Sequence, residues 1–202
     1  MTSLVVSGTA SATRQRALAQ TGVLVTALTG VTLVRAAING PSVQSAFVAG
    51  ATFGIALLVI AAMGSRSVRP SIPDARSVAL GLAGGAAIVA VPLIARPIAA
   101  PPAFHPDPFL VWAFVTCLVA AGEEAMLRGA LLESARAAAG LVPAVVLTSA
   151  LFALMHVPLY GWSVVPVDFG AGLVLCGLRL WSGGVAAPAI AHAIADLATW
   201  WL

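Results

Sequence analysis

Between Phe109 and Ala139 an apolar run of membrane-spanning length carries Glu123, Glu124 and Arg128. An ionised side chain at the centre of a bilayer costs about 2.5–3.5 kcal/mol, so three unpaired ones would cost roughly 8–10 kcal/mol. The three groups must be paired, enclosed in protein or in contact with water. Helical residues turn by about 100° per step, and neighbours on one face lie three or four apart. Glu124 and Arg128 therefore share a face and pair. Glu123 points about 100° away from Glu124 and about 140° away from Arg128, which leaves it for another task. A packing-locked cluster of all three is the competing structural reading.

The rest of the chain makes the bilayer its solvent. Of 202 residues, 60% are hydrophobic and 8% charged, with a mean hydropathy of +1.03; soluble domains carry about 25% charged residues. With about 20 residues per span, apolar runs fall at 17–38, 46–63, 78–95, 108–139, 142–157, 166–181 and 184–201. The expected fold is all-α: a polytopic membrane protein of about seven transmembrane helices. Turns are expected at Asn39-Gly40-Pro41, Pro70 to Pro73, Pro97 to Pro108 and Pro158 to Pro166, because proline and glycine punctuate helices. The long 108–139 segment must tilt, break or project beyond the membrane. Its organisation reads as a cytoplasmic tail (1–16), an N-terminal transmembrane scaffold (17–107) without a polar constellation, and a C-terminal core (108–202) that holds the chemistry. The first apolar run is about 22 residues, longer than a signal-peptide core, and reads as a retained signal anchor.

All ten basic residues are arginines. Their number does not indicate nucleic acid; it orients the chain. With the N-terminus cytoplasmic, Arg14, Arg16, Arg66, Arg69, Arg76, Arg128, Arg136 and Arg179 fall on the inner side, and Arg35 and Arg96 on the outer. Positive-inside bias thus supports seven spans and an external C-terminus in the cell membrane. Gly50-x-x-x-Gly54 and Gly81-x-x-x-Gly85 are small-residue motifs that read as internal helix packing. Cys117 and Cys176 read as small packing residues rather than a disulfide or metal pair.

Two later spans carry further polar groups: Phe152-x-x-x-His156 and His192-x-x-x-Asp196, each pair on one helical face. Both histidines, like Glu123, sit near mid-span, so Glu123, His156, His192 and Asp196 can meet. Ionisable residues inside spans are functional candidates by default. A carboxylate in a desolvated cavity suits general-base work on water, with histidines to orient that water and donate to an oxyanion. Signatures of a serine triad, a nucleophile elbow or His-Glu-x-x-His are absent from the sequence.

In order, Glu123-Glu124-x-x-x-Arg128, Phe152-x-x-x-His156, and Phe169-x-x-Gly172 leading to His192-x-x-x-Asp196 resemble the CPBP intramembrane proteases. These are the type II CAAX prenyl endopeptidases and their bacteriocin-processing or immunity-associated relatives. The resemblance covers the C-terminal part of the chain. It implies Glu123 as the base that activates water, His156 as a water-positioning group, and His192 with position 196 as oxyanion stabilisers. Glu124, Arg128 and Phe152 become structural or orienting residues. Two departures stand out: Asp196 where the family usually has asparagine, and Cys176 where a small glycine often follows Gly172. An ionised aspartate donates no hydrogen bond. Three readings follow: a protonated Asp196, an Asp196 that accepts from His192, or a member without activity.

The leading expectation is a glutamate-dependent endopeptidase without a cofactor, acting on a membrane-associated protein or peptide, lipidated or not. Its partners are membrane lipids and that substrate, not nucleic acid. Alternatives are a catalytically silent scaffold or immunity protein, a zinc peptidase using Glu123, His156 and His192, and a proton-coupled transporter, which the missing inverted repeat disfavours.

Overall fold

A bilayer offers no partner to backbone N–H and C=O groups, so apolar runs of spanning length must close their own hydrogen bonds as helices. The computed structural model describes residues 2–40, 42–65, 73–95 and 108–201. These residues form seven helices: α1 (Thr2–Ile38), α2 (Val43–Gly64), α3 (Ala75–Ala95), α4 (Phe109–Ala139), α5 (Leu141–Tyr160), α6 (Val165–Ser182) and α7 (Ala186–Ala198). Five are long and apolar enough to cross a membrane; α3 and α7 contribute shorter apolar stretches. The fold is therefore an all-α polytopic membrane fold. Arg66, Arg69, Arg96 and His105, with the expected turns at Pro70 and from Pro97 to Pro102, lie outside the described residues.

Helix α4 is the axis of the bundle. It packs against α1, α2, α5, α6 and α7, while α3 lies against α7 and α6. Outward-facing Ile55, Val59, Leu110, Phe114, Val142 and Val146 are exposed. An apolar rind of this kind is the lipid-facing surface of a membrane bundle. Cys176 is buried, as its packing role required, whereas Cys117 is exposed on the outer face of α4.

Several segments differ from those read off the sequence, beginning with α1, which is already helical from Thr2, within the expected 1–16 tail. Helix α4 does not break: it is α-helical over Phe109–Glu124, π-helical over Ala125–Leu131 and α-helical again over Leu132–Ala139. Helix α5 runs through Pro158 to Tyr160, and the turn is Gly161, with φ of 81°. A proline this close to the C-terminus removes only one late hydrogen bond, so the helix tolerates it; the left-handed conformation at 161 needs glycine. Helix α7 covers only 186–198, because left-handed Gly183 (φ 77°) precedes it and a turn closed by N–H groups of Thr199, Trp200 and Trp201 ends it. Its 13 residues reach about 20 Å, short of a hydrocarbon core of about 30 Å.

The glycine motifs do pack internally. A Cβ on Gly50 would meet Val115 at 2.8 Å, and one on Gly54 would lie 3.0 Å from the Leu118 carbonyl oxygen, which fixes α2 against α4. Gly81 and Gly85 fit in the same way over Ile190 and Ile194 of α7. The tightest crossing is at Gly122, where a Cβ would stand 2.6 Å from the Gly54 carbonyl oxygen. Backbone meets backbone one residue before Glu123.

One end of the bundle is tied by polar contacts. Arg14 Nε donates to the Ala138 carbonyl (2.9 Å), the Gln20 amide donates to the Gly64 carbonyl, and the Thr21 and Ser134 hydroxyls lie 2.8 Å apart. Glu133 accepts from Ser65 Oγ and Arg179 Nη2, both at 3.0 Å, and Arg76 Nη2 donates to the Trp181 carbonyl at 3.1 Å. At the same end Asp74 caps α3, accepting from the Ser77 N–H at 2.8 Å, and these hydrogen bonds hold its carboxyl below the ordinary range.

Gly122→Ala is expected to destabilise the protein by about 1–3 kcal/mol through overpacking, measured as a lower midpoint of thermal unfolding in detergent. Gly177→Ala, where a Cβ meets nothing within 4 Å, is the matched control and should leave the midpoint unchanged or raise it.

Candidate active site

The three charges on α4 divide as the helical spacing requires. Arg128 Nη1 donates to Glu124 Oε1 at 2.7 Å, and both residues are fully buried. Arg128 Nη2 reaches the Gly172 carbonyl on α6 at 3.1 Å. That reach depends on the absence of a side chain, since a Cβ on Gly172 would lie 2.9 Å from the Ser149 Cα. A buried charge left without its partner is severely destabilising, so this pair anchors α4 to α6.

Glu124 does more than neutralise Arg128. Its Oε1 also lies 3.0 Å from His192 Nδ1 on α7. A carboxylate only accepts, so Nδ1 carries the proton and Nε2 is turned toward the other acids. His192 Nε2 stands 3.7 Å from Glu123 Oε2 and 3.4 Å from Asp196 Oδ2. Oriented this way, the neutral ring accepts at Nε2, and only the imidazolium donates there.

Glu123 is 1% exposed, and neither of its oxygens has a hydrogen-bond partner among the described residues. Its nearest charged neighbours are His192 and Arg35, whose Nη1 is 3.6 Å from Glu123 Oε1. Arg35 comes from α1, and its guanidinium sits 4.6 Å from the centroid of the Phe53 ring. The sequence reading of the first hundred residues as a scaffold without polar function is thus corrected at this position. Along α1 the buried residues Leu24, Leu28 and Thr32 lead down one face toward Arg35. No such face is visible in the sequence, because α1 is apolar all round.

His156 has the same tautomer by a different route. Its Nδ1 donates to the Phe152 carbonyl at 2.8 Å and lies 3.3 Å from Asp168 Oδ2 on α6. Nε2 is left as the acceptor of the neutral ring. Asp168 escaped the sequence reading. It follows a proline in the first turn of α6, where an acid ordinarily serves the helix dipole, so nothing in the local pattern separates it from a capping residue.

Phe152 joins the parts. Its ring meets His156 and His192 edge-on, with centroids 5.0 and 5.2 Å away, and the Arg128 guanidinium lies 4.7 Å from its centroid. One buried aromatic therefore limits the motion of both histidines and the arginine.

These side chains surround a cavity of about 660 Å³. Glu123, His156, Asp168, Asp196, Arg35, Trp112 and Tyr160 line it; His192 stands behind Glu123 and Asp196. The expected quartet is thus brought together, although His156 faces Asp168 rather than His192. Among the described residues, no group of three or more His, Cys, Asp or Glu side chains is arranged to hold a metal ion.

Residues 105–198 match the family model described as type II CAAX prenyl endopeptidase Rce1-like. Neither a curated protein nor a solved structure matches the chain. The match runs through the end of α7 and takes in Glu123, Glu124, Arg128, Phe152, His156, Asp168, His192 and Asp196, whereas Arg35 lies before it. Over α4 to α7 the chain is accordingly similar to the Rce1-like type II CAAX prenyl endopeptidases.

Proposed function

We propose that the chain is a glutamate-dependent intramembrane endopeptidase that cleaves a membrane-associated peptide or protein with an activated water. The observation that carries this reading is Glu123: a buried carboxylate without a hydrogen-bond partner among the described residues, at the wall of a cavity it shares with His156 and Asp196. A peptide bond enters the cavity beside Glu123. Glu123 takes a proton from water as the water oxygen bonds to the carbonyl carbon, and His156 Nε2 accepts the second water hydrogen and holds the nucleophile in line. The carbonyl oxygen gains a negative charge, and His192 Nε2, as imidazolium, donates to it. Glu123 then returns its proton to the departing nitrogen as the C–N bond breaks. Asp196 contributes a second donor when protonated, and Arg35 adds positive charge to the same cavity.

Glu124 is a positioning residue in this scheme. Its carboxylate holds Arg128 on one side and the Nδ1 proton of His192 on the other, which selects the ring orientation that presents Nε2. A silent scaffold is the second reading. Asp196 supports it, because an anion at that position opposes a developing oxyanion.

Cleavage of a hydrophobic-tailed peptide by purified protein tests the base. Glu123→Gln is expected to lower turnover by about 10²–10⁴ without changing the unfolding midpoint. Glu124→Gln should instead lower the folded yield, by stripping Arg128 and His192 of their shared acceptor. Turnover by Glu123→Gln equal to wild type removes Glu123 from the chemistry, and undetectable cleavage by wild type on a panel of such peptides favours the silent scaffold.

Asp196→Asn is expected to retain or raise activity and to extend it to higher pH, since an amide donates at any pH whereas a carboxyl group donates only while protonated. A pH–rate profile of the two proteins decides this. Abolished cleavage by Asp196→Asn would make Asp196 a carboxylate that orients His192.

The water-activation route uses no metal ion, so activity should survive a strong chelator and the purified protein should lack stoichiometric zinc. Loss of activity on stripping, with recovery on adding zinc, would transfer Glu123, His156 and His192 to the metal-ligand reading.

A further inference from the structure

The cavity is one-sided. Its lining comes from the C-terminal ends of α1, α5 and α7 and the N-terminal parts of α2, α4 and α6: Arg35 and Asn39, Ser42, Trp112 to Glu123, His156 and Tyr160, Asp168, and Asp196 and Thr199. Helices that alternate in direction place all these ends on one side of the membrane. The other end of the bundle is tied by the contacts of Arg14, Gln20, Glu133 and Arg179. A route from Glu123 to water therefore leads toward the α1–α2 turn.

The arginines identify that side. Arg14 and Arg16 in the N-terminal half of α1, Arg76 at the start of α3, Arg136 at the end of α4 and Arg179 at the end of α6 all lie at the tied end. At the cavity end, among the described residues, Arg35 is occupied with Glu123 and Phe53. Basic residues flanking spans stay in the cytoplasm. That end of the bundle carries aromatic anchors instead: Phe109, Trp112, Trp200 and Trp201 cluster with ring centroids 4.8–6.1 Å apart.

We propose that the cavity opens to the extracytoplasmic face, so that the enzyme receives its substrate as a peptide segment of an exported or outward-facing membrane protein. This rests on the peptidase reading for the word substrate, and on arginine asymmetry and cavity geometry for the side. A lipidated tail inserted from the cytoplasmic leaflet would meet the tied end, with Glu123 behind it.

The test is chemical labelling followed by cleavage. Asn39→Cys and Thr199→Cys place a thiol at two exposed points of the cavity lining on different helices, and Ala139→Cys places one at the exposed tied end. In spheroplasts, a membrane-impermeant maleimide is expected to label the first two variants at least tenfold more than wild type. Ala139→Cys should label only after permeabilisation. The reverse pattern, or labelling of Asn39→Cys and Thr199→Cys only after permeabilisation, overturns the proposal. In the second arm, a hydrophobic-tailed peptide is supplied outside the same spheroplasts. Cleavage should fall at least tenfold when Asn39→Cys is labelled compared with the same variant unlabelled. Unchanged cleavage on labelling overturns access through this opening. Outside labelling with no cleavage by any form upholds the sidedness and sinks the peptidase reading alone.

Discussion

A carboxylate, a guanidinium and an imidazole that share one buried contact hold this bundle in register. Glu124 Oε1 is within hydrogen-bond distance of both Arg128 Nη1 and His192 Nδ1, and Arg128 continues to the Gly172 carbonyl. Three helices far apart in sequence are tied at one point in a medium that offers no competing water. In such surroundings an unmatched charge costs far more than a matched one contributes, so the contact excludes alternative helix registers more than it adds stability. The neighbouring carboxylate, Glu123, lies outside this contact. That difference between adjacent residues separates framework from chemistry.

Around this point the packing uses absence of side chains as much as their presence. Gly54 and Gly122 let α2 and α4 meet backbone to backbone, and Gly172 lets α6 approach Ser149 of α5. In lipid, where hydrophobic burial gives no driving force between helices, close approach of this kind and interhelical hydrogen bonds supply the attraction. Phe152 fills the space that remains and touches both histidines and Arg128.

Much of this was legible in the sequence, for identifiable reasons. Apolar runs separated by proline and glycine mark helices because the bilayer permits little else, and the four-residue interval of Glu124 and Arg128 dictates their pairing. That Gly81 and Gly85 pack internally followed from residue size; that their partner is α7 did not. Arg35 was not legible: α1 is apolar on every side, so no stripe distinguishes its inward face, and an arginine near a span end looks like a topology marker. Asp168 resembled an ordinary first-turn acid. Pro158 suggested a helix end, yet its missing N–H falls where a helix is about to stop. The short α7 was hidden because Thr199 to Trp201 are as membrane-compatible as the helix they terminate.

The π-helical stretch Ala125–Leu131 begins immediately after Glu124. A turn of this kind holds about one residue more than an α-helical turn, and such bulges recur at functional sites. Its seven residues are all buried, and the Arg128 carbonyl within it accepts from Arg179 Nε at 3.0 Å. Loss of one residue here would let the stretch relax to an ordinary helix while everything after it kept its facing, because the wider turn takes up the extra residue without advancing the helix face. Glu133, which accepts from Arg179 and Ser65, would stay on its face, whereas the Arg128 carbonyl inside the stretch would be re-aimed. The extra position is therefore a local device: it sets the backbone around Arg128 while the two α-helical halves of α4 keep a common register.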